Sequence, residues 1–323
     1  MVTPLLRVLK EDGYHVTYNC TERGDVLRGN PFIDKFLHQK TNEIPAQELD
    51  VYWKKLAEGY DKFINLSESI EGSLLTIKGR EAWNWSHEKR DAALGSINYY
   101  DRTLEIGGYP HIKGRNPEMF FSGGEETQAR EFRKKYKGKF LVMWSLSGSS
   151  FHKVYPYTEM VAREFLHRHE DAMTLTMGDD FCRMLEWSHP RSKNYSGNWP
   201  IRKTLLMTKY VDLVVATETG IANGVACFDT PKIILLSHSS EENLTKYWKN
   251  VYPIHADVPC YPCHKLHYTM DTCPIDQQIY APVCMSKLDP TKILEKMEET
   301  YLNWKERRTS VRANRSYAHN LMH

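Results

Sequence analysis

Residues 211–231 read VDLVVATETGIANGVACFDTP, and this stretch limits the fold more tightly than any other in the chain. Val211, Leu213, Val214 and Val215 form a short, nearly continuous apolar run, the pattern of a parallel strand covered on both faces. Thr217-Glu218-Thr219-Gly220 follows, and Gly220 allows the backbone to turn tightly. A helix beginning near Ile221 would then present its uncapped amides at the carboxyl end of the strand, where an anion such as a phosphate is stabilised. Alone, the segment is more often an ordinary strand-turn-helix connection with a Thr cap and no ligand.

A second segment of the same type lies upstream. Phe140-Leu141-Val142-Met143-Trp144 has the strand pattern, and Ser145-Leu146-Ser147-Gly148-Ser149-Ser150-Phe151-His152-Lys153 is a hydroxyl-rich loop ending in a cation. Tyr155-Pro156-Tyr157 then opens a helix, with Pro near its first turn. A strand, small hydrogen-bond donors, a Lys and a helix start together make a cradle for a diphosphate, with Lys153 neutralising charge. A solvated loop Lys is the commoner fate of such a residue, but two such loops in one half of a chain point to a nucleotide site.

The ordered series LSGSSFHKVYP, TLTMGDD, TKYVDLVVATETGIANGVACFDTPKIILL and DVPCYPCHKLHYTMDTC resembles the C-terminal half of the family 9 glycosyltransferases, the ADP-heptose:lipopolysaccharide heptosyltransferases, from about Lys139 to Leu288. The resemblance implies an α/β fold of the GT-B type, with two Rossmann-like domains facing across a cleft. On that basis residues 1–121 form an N-terminal, acceptor-side domain and 122–137 a linker and helix. Residues 138–288 form the nucleotide-sugar-binding domain, 289–306 a helix crossing back to the first domain, and 307–323 a basic tail expected to be disordered. The resemblance also implies a transferase that moves a heptose or related sugar from a nucleoside diphosphate, ADP above all, to an acceptor hydroxyl with inversion, as in lipopolysaccharide biosynthesis. The donor is the only small-molecule requirement, with no cofactor.

Site residues carry over position by position. Lys153 matches the family Lys on the nucleotide phosphates, with Ser147, Gly148, Ser149 and Ser150 around it. Glu218, Thr219 and Gly220 match an Asp-Thr-Gly that touches diphosphate and sugar. Asn223 stands where the family usually has His, which keeps a donor but removes the ability to carry charge. Asp179 and Asp180 after Gly178 match an acidic position that can hold ribose hydroxyls. The family's first strand and Gly-Asp loop, which carries the usual base, come ahead of the segment matching Val2-Thr3-Pro4. By the resemblance that base would lie before Met1, so no catalytic base is assigned. Glu71 and Asp25 are weak substitutes, each more often a solvated carboxylate.

Other features bound the function. A formal net charge of +2 argues against a surface devoted to nucleic acid, and no apolar run has transmembrane length. A cytoplasmic enzyme is expected, with peripheral membrane contact left open. Cys260-x-x-Cys263, Cys273 and Cys284 have a spacing that suits structural zinc, although free thiols are the expected state. Along the first half, alternation predicts strands at 14–20 and 61–66 with a helix at 51–60 between them. Downstream it predicts strands at 172–177, 211–216 and 232–236, and helices at 125–136, 155–169, 200–209, 221–228 and 290–304. Two other readings fit: a nucleotide-sugar-binding protein without activity, and a phage-type transferase acting on modified DNA bases, hinted at by the basic tail. The absence of any G-x-G-x-x-G disfavours a dinucleotide enzyme. Acceptor and oligomeric state are not readable.

Overall fold

A computed structural model describes residues 1–323 except 21, 41, 42, 68, 71, 72, 149, 270, 271 and 321–323, and except the side chains of 22, 23, 151 and 311–320. The chain divides into two compact units. Unit 1 comprises 1–126, 242–247 and 264–266; unit 2 comprises 127–241, 248–263 and 267–323.

Unit 1 contains α1 (Thr3–Glu11), β1 (Thr17–Cys20), β2 (Lys35–His38), α2 (Leu49–Ala57), α3 (His87–Leu94) and α4 (Tyr99–Ile106). Met1 and Val2, both half-buried, lead directly into α1. Pro4 sits in the first turn of that helix, where its missing N–H costs nothing, and Leu5, Leu6, Val8 and Leu9 form its buried stripe. These pack with Val16, Leu104 and Tyr109. β1 and β2 pair in parallel, the carbonyls of Val16 and Cys20 accepting from the amides of Lys35 and Gln39. Parallel alternation turns the amides and carbonyls of Thr17 and Asn19 to the opposite edge. That side borders a cavity of about 700 Å³ lined by Leu5, Leu6 and Leu9 of α1, Asn19, and Trp53 and Leu56 of α2.

Unit 2 begins with α5 (Gly123–Lys135), which starts in unit 1, and continues with β3 (Phe140–Ser145), α6 (Thr158–Arg168), β4 (Ala172–Met177), β5 (Ser192–Asn194), α7 (Ile201–Met207), β6 (Leu213–Thr217), α8 (Gly220–Val225) and β7 (Lys232–Leu235). After it come α9 (Glu241–Leu244), which lies mostly in unit 1, and then, in unit 2, β8 (Val251–Ile254), β9 (Ile275–Asp276), β10 (Ala281–Pro282), α10 (Val283–Ser286) and α11 (Pro290–Asn320). Six parallel strands lie in the order β5-β4-β3-β6-β7-β8. Every residue of β3, β4, β6 and β7 is buried, which is why β3, β6 and most of β7 read as nearly continuous apolar runs, while β4 intersperses buried threonines. Lys232 is the exception in β7: its ammonium caps the carbonyls of Phe228 and Lys249, and burial lowers its pKa to about 8. The chain leaves β3 toward one edge through β4 and β5, then returns to β3's other side as β6. The order therefore reverses between β3 and β6.

Several expectations change. Residues 61–66 form no strand; Ile64 and Leu66 instead pack as half-buried side chains on the α1 cluster, and the second strand of unit 1 is β2. The last helix runs beyond Trp304 to Asn320. Its residues Ile293, Met297, Tyr301 and Trp304, at helical spacing, bury into the unit 2 core beside Phe140 and Phe165. Among the described residues no helix is long and apolar enough to cross a membrane.

Candidate active site

β3 and β6 are the two neighbours at which the strand order reverses, and in open α/β sheets ligands bind outside the carboxyl ends of strands at such a point. The two loops singled out from the sequence leave from those two ends. Ser145 Oγ, on the last residue of β3, lies 3.2 Å from Thr219 Oγ1, just past β6. Thr219 also caps α8, its Oγ1 accepting from the Ala222 amide. Gly148 is wedged beside it: a Cβ there would stand 3.0 Å from Thr219 Cγ2 and 3.3 Å from Lys153 Cδ. Gly148, Lys153 and Thr219 are therefore mutual neighbours, as a diphosphate cradle requires. Ser150 Oγ and Thr217 Oγ1 are buried without a hydrogen-bond partner among the described residues, two hydroxyls at the same strand ends with capacity unused.

The sequence suggests that Glu218 hydrogen-bonds the sugar or backbone near the diphosphate. In the structure its carboxylate is 5% exposed and takes backbone partners, accepting from the amides of Ser237, His238 and Ser239 and from the Ser237 hydroxyl. His238 Nδ1 is 2.8 Å from Glu218 Oε2. Burial pushes the carboxyl's pKa up, but His238, Ser237 and the charge of Lys153 outweigh it and hold the group well below the usual carboxylate range. Glu218 thus stands behind the site as a buried anion. Asn223 is also engaged, its Nδ2 donating to the Thr219 carbonyl.

Gly220 differs from one part of its expected role, the need for a glycine in the tight turn. It is not among the glycines with positive φ, and a Cβ placed on it meets nothing within 4 Å. The turn does not need a glycine; the space in front of it is open. Gly148→Ala is therefore expected to cost about 1–3 kcal/mol through overpacking against Thr219. Gly220→Ala should leave stability within about 0.5 kcal/mol while reducing nucleotide affinity, because its methyl enters the open space. Chemical denaturation and titration of the two variants with ADP separate these outcomes.

The acidic pair lies at the end of β4, next to β3. Asp179 Oδ1 accepts from the Cys182 amide, and Asp180 is exposed with an Arg183 contact at 3.1 Å. Gly178 packs against Cys182, where a Cβ would clash at 2.3 Å. Ser147 is buried, its hydroxyl donating to the Gly148 carbonyl. Ser149 and Glu71 lie outside the described residues. Asp25 is an exposed carboxylate 3.9 Å from Arg28. None of the described carboxylates is assigned the role of the base.

Cys260, Cys263, Cys273 and Cys284 are free thiols. Cys284 is raised first by burial and then by the charges of Cys263, Cys273 and Cys260, so the four are neighbours. Among the described residues, however, no three His, Cys, Asp or Glu side chains are placed to hold a metal ion.

Sequence reasoning passed over Ser145, His152 and His238. Each sits at or just after the carboxyl end of a strand, the one positional signal that would have flagged them.

No family model matches the chain, and no curated protein does. Solved structures do. A family 9 glycosyltransferase from Veillonella parvula is similar over 94% of this chain and 93% of its own, with TM-score 0.63 and 13% identity. The ADP-heptose lipopolysaccharide heptosyltransferase II of E. coli is similar over 94% and 95%, with TM-score 0.62 and 12% identity. The iron-containing dodecameric glycosyltransferase TibC of enterotoxigenic E. coli is similar over 92% and 71%, with TM-score 0.56 and 9% identity. The chain therefore has the α/β fold of these GT-B transferases.

Proposed function

We propose that this chain is a glycosyltransferase that takes its sugar from a nucleoside diphosphate bound at the ends of β3 and β6. The observation that carries this reading is the meeting of Gly148, Lys153 and Thr219 at the point where the strand order reverses. When the glycosidic bond to the diphosphate breaks, negative charge grows on the departing phosphates. Lys153, the Ser150 hydroxyl and the amides around Gly148 and Gly220 are placed to meet it, as preorganised donors should be. Asp179 and Asp180 accept from vicinal ribose hydroxyls at the neighbouring strand end. Attack by an acceptor hydroxyl in a single displacement inverts the anomeric carbon; the base that takes its proton is not assigned to any described residue.

The structure of the E. coli heptosyltransferase, solved for a protein named for ADP-heptose and lipopolysaccharide, favours ADP-heptose as the donor and a glycan hydroxyl of that kind as the acceptor. We place the reaction in the cytoplasm. The iron named for TibC is not carried over, because no three-ligand set converges among the described residues, and no step is routed through a metal. The test is calorimetric titration with ADP, UDP and GDP, followed by donor turnover with ADP-heptose. Binding of ADP in preference to the other two is the expected result, and failure of all three to bind overturns the reading.

A further inference from the structure

Behind the donor loops lies a buried set of polar groups that the proposed chemistry does not use. Glu218 follows β6, His238 follows β7 and His152 belongs to the loop after β3, so the set joins the carboxyl ends of three adjacent strands. His152 and His238 are 1% and 3% exposed. Their rings meet edge to face with centroids 5.0 Å apart, and His152 Nε2 lies 3.1 Å from His238 Nδ1.

The proton positions follow from the partners. Glu218 can only accept, so His238 Nδ1 carries a proton and directs it at Glu218 Oε2. The His152 Nδ1 lies 3.4 Å from the His267 carbonyl oxygen, which also can only accept, so His152 is protonated there and its Nε2 is an acceptor facing His238. One His238 proton thus lies within reach of both Glu218 and His152. Burial first, and the charge of His238 second, lower the His152 pKa to about 2, which keeps Nε2 available as that acceptor. The remaining polar groups around the set are Ser237, Lys153, Tyr261, His267 and Cys263.

We propose that His238 and His152 are positioning residues for the donor site: through Glu218–His238–His152 they fix the turn Phe151–Lys153 and so hold the Lys153 side chain beside Gly148. Within the turn the Lys153 amide donates to the Ser150 carbonyl, and the His152 ring also meets the His267 ring edge to face. His152 is the immediate neighbour of Lys153, so losing its anchor would free the cation rather than the fold. The importance of that cation for nucleotide rests on the function proposed above; its being held by the histidines does not.

His238→Leu removes the shared proton at similar volume, whereas His238→Asn places an amide N–H near the former Nδ1 and should rescue. The first readout needs no ligand: competitive amine labelling followed by mass spectrometry, comparing Lys153 with Lys232, the buried lysine of β7. His238→Leu is expected to raise Lys153 labelling about fivefold with Lys232 unchanged, and His238→Asn to stay within about twofold of wild type. The second readout is ADP affinity, expected to fall about tenfold in His238→Leu but not to fall further when Lys153 is already alanine. If His238→Leu does not fold, His152→Asn, which keeps the donor to His267 and loses Nε2, carries the same expectations. An equal rise at both lysines, no rise at Lys153, or additive losses in affinity overturns the proposal. If wild type binds none of ADP, UDP and GDP, the functional reading fails and the labelling alone decides this one.

Discussion

Replacing Lys153 with alanine is expected to weaken ADP binding by about ten- to a hundredfold, the equivalent of the 1.5–3 kcal/mol or so that a hydrogen bond to a charged group contributes. The side chain is 8% exposed and packed against the loop that holds Gly148, so its ammonium is largely shielded from water and its attraction to phosphate is only weakly screened. Affinity for adenosine, which has no phosphate, should be unchanged. Isothermal titration of wild type and variant with both ligands measures the difference. Equal affinity of the two proteins for ADP would remove Lys153 from the site. Lys153→Arg should recover only part of the loss, because a larger planar group must fit where Cδ already lies close to Gly148.

The second large effect is on stability. Glu218→Ala leaves the amides of Ser237, His238 and Ser239 without their acceptor in a buried position, and should cost about 3–5 kcal/mol. Urea unfolding at neutral pH provides the measurement, and a loss below about 1 kcal/mol would mean that water or another group replaces the carboxylate. The acid limb adds a check. The folded carboxyl titrates below its ordinary value of 4.5, so the stability it provides is fully present above that pH and is lost as pH falls through the window beneath it. Wild type should therefore lose stability toward low pH more steeply than Glu218→Ala, and the gap between the two should narrow on acidification.

How legible the molecule was in its sequence differed between the two units, for physical reasons. Unit 2 rests on strands buried on both faces, and β4 appears where TLTM and its preceding residues put it. Such strands announce themselves by composition alone. Unit 1 offers no such signal. β2, Lys35-Phe36-Leu37-His38, begins and ends in polar residues and is exposed at both ends, so nothing in its pattern distinguishes it from a loop. Residues 61–66 contain Phe63, Ile64 and Leu66, enough apolar character for a strand, but they have no paired neighbour and serve as packing instead. Within the site, the loops could be read because each carries its own chemistry in a few consecutive residues. The direction of the Glu218 carboxylate could not, since its acceptor role is fixed by amides 19–21 residues further on. His152 and His238 are separated by 86 positions and look unremarkable in either local context.

The tight fit around Gly148 also bears on how proteins of this build could diversify. A residue whose first added carbon meets both Thr219 and Lys153 leaves little room to vary the part proposed to hold the phosphates. The rim beyond β4 is different: Asp180 is open to solvent, and Phe181 and Met184, at 47% and 73% exposure, border it without supporting the core. Changes there carry little folding penalty. A library aimed at altering nucleotide selectivity under the proposed function would accordingly be randomised at Asp180, Phe181 and Met184, leaving the buried Cys182 and residues 145–153 untouched, so that new selectivity is sought on the outer lip while the proposed diphosphate cradle stays as it is.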